Sequence, residues 1–177
     1  MSYEEDIKTR VRNSEHWPDF DSPDYLDSLD ELAEESLKKN SIEGALAAVL
    51  IYHQLVEEQM KILLQSAKFF IQLSVFPAEI TFSERKRQMF GQVLDELRET
   101  ISFVHKNEII GLAASLNRHR IDLVHKLAQR PAIDSILSKA TEVKNIYDQI
   151  FQKFDDARDE FRITFKDFKK DVFIDYP

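Results

Sequence analysis

One stretch, IEGALAAVLIYHQLVEEQMKILLQSAKFFIQLSV from Ile42 to Val75, limits the folds open to this 177-residue chain more than any other. Ile42, Ala45, Val49, Tyr52, Val56, Met60, Leu63, Ala67 and Phe70 follow one another at intervals of three and four. That spacing lays side chains along one face of an α-helix. Asn40 or Ser41 stands before the run as a cap, and Pro77 ends it, since proline cannot continue a helix. At ~1.5 Å per residue the helix is about 50 Å long. An apolar face of that length must be covered by other helices, so the run predicts the spine of a bundle.

The flanking segments supply those partners. Ser22 as N-cap and Pro23 in the first turn predict a helix from Pro23 to Lys39. PAEITF after the spine is a loop, and Ser83 opens a helix with Met89, Phe90, Val93, Leu97 and Ile101 on one side. A further helix is predicted from Lys106 to Gln129, stopped by Pro131. From Ile133 to Phe173, Tyr147, Ile150, Phe154, Phe161, Phe165, Phe168 and Val172 make an aromatic-rich stripe that reads as core or helix-pairing surface, with room for a break between Asp155 and Asp159. The first twenty residues are weakly patterned. Only three glycines and five prolines leave few places for the tight turns of an all-β fold. The expected architecture is therefore all-α, an up-and-down bundle of four to five helices in a single domain over 1–177. Its core covers about 42–130, preceded by an acidic segment (1–36) and followed by a long Phe-rich helical extension (about 132–173).

Charge is distributed unevenly. Of the net −8, residues 1–36 contribute −9 from twelve acids and three bases, so the remaining 141 residues are close to neutral. A local basic surface is thus compatible with the overall acidity, and RHRIDLVHKLAQR from Arg118 to Arg130 has four bases against one acid. The absence of cysteine excludes disulfides, thiolate metal sites and cysteine nucleophiles. It suits a reducing compartment, so a cytoplasmic location is expected. The polar, acidic N-terminus is unlike a signal peptide, and no apolar run reaches the roughly 18 residues of a membrane span.

The residues from Leu116 to Leu127, LNRHRIDLVHKL, carry the chemistry. On a helix Ile109, Leu112, Leu116, His119, Leu123 and Leu127 form one apolar line, which points His119 toward the core. Ile110, Ala113, Asn117, Arg120 and Val124 form the line beside it. A guanidinium bordering an apolar stripe needs an acceptor, so Arg120 requires a partner. Arg118, Ile121, Asp122 and His125 lie on the other side, with Asp122 one turn from the His125 ring. Arg120 and His125 differ by about 140° around the axis. They meet at one phosphate only if the helix bends or if two copies face each other, and the apolar Ile121 on the polar side is a contact point for a second chain.

Arg120 and His125 fit the Arg-x-x-x-x-His signature of HEPN domains, and LNRHRIDLVHKL resembles the family's LNxxRNxxxH block, with Leu116 and Asn117 in place. GALAAVLIYHQLVEEQMKILL is similar to the long first helix of the HEPN core. The resemblance covers about Ile42 to Ala128, half of the chain. It departs at Ile121, where the family commonly has a polar residue. A second register, Arg118 followed by His119, keeps that polar residue and still ends at His125. The resemblance implies a metal-independent endoribonuclease that needs no cofactor and acts as a homodimer on RNA. In it His125 moves the proton, Arg120 holds the phosphate charge, and Asn117, Arg118 and Asp122 support them. It also implies toxin or defence roles and an antitoxin-type protein partner.

Other readings stay open. A non-catalytic bundle of this kind binds a nucleotide, RNA or protein through the same surface. Asp122 with His125, or His53 with Glu57, have the spacing of a metal chelate, although no Glu-x-x-His pair supports a di-iron site. The Phe-rich helix would make the chain an interaction module. His16 and His105 read as surface residues, and Arg85, Lys86 and Arg87 as contributors of phosphate contacts.

Overall fold

The computed structural model describes residues 2–83, 88–125, 127–129 and 132–171. Six α-helices account for most of them: α1 (Tyr3–Arg12), α2 (Pro23–Lys38), α3 (Ile42–Val75), α4 (Phe90–Glu99), α5 (Lys106–His125) and α6 (Ile133–Asp171). Short 3-10 turns cover Ser14–His16 and Leu127–Gln129, and no strand occurs among the described residues.

The spine forms as its pattern dictates. Ser41 caps α3 by accepting the Gly44 N–H at 3.1 Å, which satisfies one of the donors that a helix start leaves open. α3 touches α2, α4, α5 and α6. It is consequently buried on more than one face, with Leu55, Ile62, Leu64 and Phe69 joining the apolar line. α2 folds back on α3 through a turn in which Asn40 takes φ 49°. The helices meet at Gly44, where an added Cβ would stand 2.2 Å from the Ser36 carbonyl oxygen. Only glycine permits that approach.

α6 is one continuous helix through 155–159. Ile136, Ala140, Val143, Tyr147, Ile150, Phe154, Ala157, Phe161 and Phe165 are all buried. This run of three- and four-residue steps keeps one face on the core, so burial outweighs the acids between them. Tyr52 against Tyr147 (ring centroids 4.6 Å) and Phe69 against Phe165 (4.9 Å) show α3 and α6 running side by side in the same direction. α5 runs opposite to α6, with His105 beside Asp156 at one end (3.3 Å) and His119 beside Glu142 at the other (3.7 Å). Val172 and Phe173, included in the expected last helix, lie outside the described residues.

Three regions differ from the sequence expectation, the shortest difference being at α5, expected to run to Gln129 but bounded at His125, with Leu127–Gln129 in a 3-10 turn. The N-terminal stretch is helical from Tyr3, because Ser2 and Glu5 close a capping box and Ile7 and Val11 are buried. That raises the helix count to six. The acidic segment is tied to α6: Trp17 packs on Phe165, Phe20 on Phe154, and Asp19 binds Arg158 (2.9 Å) and Arg162 (2.7 Å). α4 starts at Phe90, not at Ser83. Met89 is its N-cap and 71% exposed, and the Gln92 side chain accepts the Met89 N–H at 3.0 Å. Met89 therefore leaves the apolar side on which it was expected, and Ile101 lies beyond the helix end. Arg85, Lys86 and Arg87 fall outside the described residues.

Candidate functional site

α5 is an uninterrupted helix up to His125. Ile109, Ala113, Leu116 and Leu123 hold it in the core. That anchoring leaves Asn117 and Arg120 half-buried at the border and turns Arg118, Ile121, Val124 and His125 outward.

Arg120 has the acceptor that its position required. Asn117 Oδ1 receives an Arg120 Nη2–H at 3.0 Å, and His53 Nε2 from α3 lies 3.1 Å from the same oxygen. A carboxamide oxygen only accepts, so His53 presents its Nε2–H to Asn117. The His53 ring is buried and meets Phe90 edge-on with centroids 4.9 Å apart. Burial and then the Arg120 charge push its pKa below 6.5, against the opposing effects of Asn117 and Glu57. The fold favours neutral His53. Arg120 Nε is buried and has no acceptor among the described residues.

His119, expected to face the core, stands at the boundary with its Nδ1 3.7 Å from Glu142. The histidine inside the core is His53. α6 lies alongside α5 there and offers a carboxylate at its surface edge, which holds His119 away from the apolar centre. His53 was read only as a chelate partner of Glu57, yet its Nε2 is engaged by Asn117 and Glu57 pairs with Lys61 at 3.0 Å. The usable signal was that His53 and Asn117 each interrupt an apolar stripe, and two polar residues on facing stripes tend to satisfy each other. Among the described residues no group of three His, Asp or Glu side chains is arranged to hold a metal ion.

Within one chain, then, the residues divide. Asn117, Arg120 and His53 form a linked half-buried group. Asp122 is half-buried, and Arg118 and His125 are exposed on the outer side. A guanidinium fixed at one edge with further N–H groups to offer is suited to an anion such as a phosphodiester. An exposed imidazole five residues on is suited to proton transfer with a bound substrate. Ile121 and Val124, 40% and 43% exposed, form an apolar pair between them.

A second polar cluster sits between α2, α3 and α6. Lys144 bridges Glu34 (3.3 Å) and Asp148 (2.7 Å). Burial, with Asp30 nearby, raises the Tyr52 and Tyr147 hydroxyls above their usual range, and burial also raises Asp30. This group holds the three helices together. No helix among the described residues is long and apolar enough to cross a membrane.

No family model matches the chain, and no curated protein and no solved structure matches it.

Proposed function

We propose that this chain is a HEPN-like helical bundle that cleaves RNA as a metal-independent endoribonuclease, with two copies meeting along α5. The observation that carries this reading is the pairing of an anchored Arg120, held by Asn117, with an exposed His125 at the spacing of the Arg-x-x-x-x-His signature. His125 takes the proton from a ribose 2′-OH. The 2′ oxygen then attacks phosphorus while Arg120 offsets the charge growing on the phosphoryl oxygens. The bond to the 5′ oxygen breaks, and that oxygen receives a proton from the second copy's imidazole. The products are a 2′,3′-cyclic phosphate and a 5′-hydroxyl.

The need for two copies follows from geometry. Arg120 and His125 diverge by about 140° on a continuous helix, so a site containing both is completed across a two-fold axis. Exposed Ile121 and Val124 supply the apolar contact there. The test is cleavage of single-stranded RNA by purified protein in the presence of a chelator, with the product ends identified. Arg120→Ala and His125→Ala are each expected to reduce the rate by 100-fold or more, roughly the share carried by a general acid–base group or a preorganised anion donor. Cleavage by the double variant at the wild-type rate would end this reading.

One observation favours a second reading. Ile121 replaces the polar residue that accompanies the arginine in the motif, which suits a non-catalytic HEPN-like bundle using the same face for RNA, a nucleotide or an antitoxin-type protein. Tight RNA binding without any cleavage would support it.

A further inference from the structure

A separate cleft of about 940 Å3 lies between α1, the segment following it and the later half of α3, within the size range of small-molecule sites. None of its lining residues belongs to α5. Arg10 and Lys68 provide positive charge on its wall. The Arg10 guanidinium lies 4.3 Å from the Phe69 ring centroid, and its Nη1 donates to Gln72 Oε1 at 3.2 Å. Lys68 Nζ stands 5.5 Å from the Phe82 ring and 2.5 Å from Glu96. Each contact engages part of the cation's donors, since lysine has three N–H groups and arginine five, while the rings fix where the charges sit.

Two further residues shape the wall. Trp17, 6% exposed, lines the same cleft, and its indole N–H has no acceptor among the described residues. The nitrogen itself has almost no exposed surface, so the indole serves as a probe set in the cleft wall and not as a donor to a ligand. Asp19, an acid on the rim, is already bound by Arg158 and Arg162. Its charge is thereby offset, and Asp21 is the lining acid that remains.

We propose that this cleft binds a nucleoside phosphate. Arg10 and Lys68 take the phosphate as charge-assisted donors. The cleft is far larger than a bare oxyanion needs, and the Gln65 and Gln72 carboxamides with the Trp17 edge offer the mixed polar and apolar surroundings that a base requires. The site stands or falls independently of RNA cleavage at Arg120 and His125.

The chain has a single tryptophan, so the indole N–H is an unambiguous reporter. Full-length protein is titrated with AMP, with ADP and with inorganic phosphate, by calorimetry and by NMR of that N–H. The expected result is saturable nucleotide binding that moves the indole signal. Arg10→Gln and Lys68→Gln should each weaken it about tenfold, the effect of losing one charge-assisted hydrogen bond. Lys144→Gln, on another face, should leave it unchanged. If Lys68→Gln loses its fold with the Glu96 contact, Lys68→Arg keeps the charge and should bind. The proposal is overturned by absent saturable binding, by binding indifferent to Arg10, Lys68 and the indole, or by inorganic phosphate binding as tightly as the nucleotides.

Discussion

His53 and Arg120, on different helices, share a single acceptor: Asn117 Oδ1 lies 3.1 Å from the imidazole Nε2 and 3.0 Å from the guanidinium. The carboxamide ties α5 to α3 and fixes the cation's edge at once. A cation beside a buried histidine also makes protonation of that histidine unfavourable. The arrangement is thus a structural joint and an electrostatic one.

Asn117→Ala removes the acceptor from both donors. It should lower stability by about 1–3 kcal/mol, the cost of leaving buried donors unmet, and reduce the proposed RNA cleavage more than RNA binding, because Arg120 loses its orientation. Urea denaturation and kcat against KM check this. A variant as stable and active as the parent would show that the joint has no role.

Acidification should weaken the fold through His53. Its folded pKa is below 6.5, so between the two values the unfolded chain binds more protons than the folded one. This contribution is complete above the unfolded value and is lost as the pH falls through 6.5 toward the folded value. His53→Gln keeps a donor for Asn117 but does not titrate. Denaturation midpoints from about pH 7.5 to pH 5 should fall less steeply for it than for the parent, and equal slopes would remove His53 as the cause.

Gly44 and Gly111 should respond oppositely to alanine. At Gly44 the new Cβ would stand 2.2 Å from a backbone oxygen of α2, forcing the helices apart at a cost of about 1–3 kcal/mol or more. Nothing lies within 4 Å of a Cβ at Gly111. Alanine there should stabilise α5 by roughly 0.5–1 kcal/mol. Thermal melts of both variants test the pair of signs.

Lys106 is buried, and its Nζ donates to the carbonyl oxygens of Arg98 (2.9 Å) and Thr100 (2.7 Å). It closes the end of α4 from the first residue of α5. Lys106→Met keeps the apolar stem and leaves those carbonyls unmet, so stability should drop by about 2 kcal/mol. A loss no larger than that of a surface lysine control would refute the capping role.

Ile121→Asp should convert the proposed dimer to monomer, by placing like charges at a two-fold contact, and should abolish cleavage with it. Sedimentation velocity and the RNA assay are read together. Full activity in a monomer would mean that one chain completes the site.

Much of the architecture could be read from spacing alone. The spine was expected to begin at Ile42 and end before Pro77, and α3 runs from Ile42 to Val75. The Pro23 start and the long aromatic stripe of α6 also appear as expected. The start of α4 did not, because Met89 shares the periodicity of Val93 and Leu97 without sharing their burial. The first helix was missed because its apolar residues are few, and packing of α1 on α6 makes Ile7 and Val11 sufficient.

The site divides along the same line. Sequence determined that Arg120 borders an apolar face and needs an acceptor, and that His125 points elsewhere, since both follow from the rotation per residue within one helix. It did not determine that Asn117 is the acceptor, that His53 completes the group, or that His119 sits at the edge beside Glu142. Nor did it show a cleft joining Arg10 to Lys68. Those facts depend on which helices lie side by side, and side-by-side packing is set by the summed burial of whole faces, which no single stretch of sequence contains.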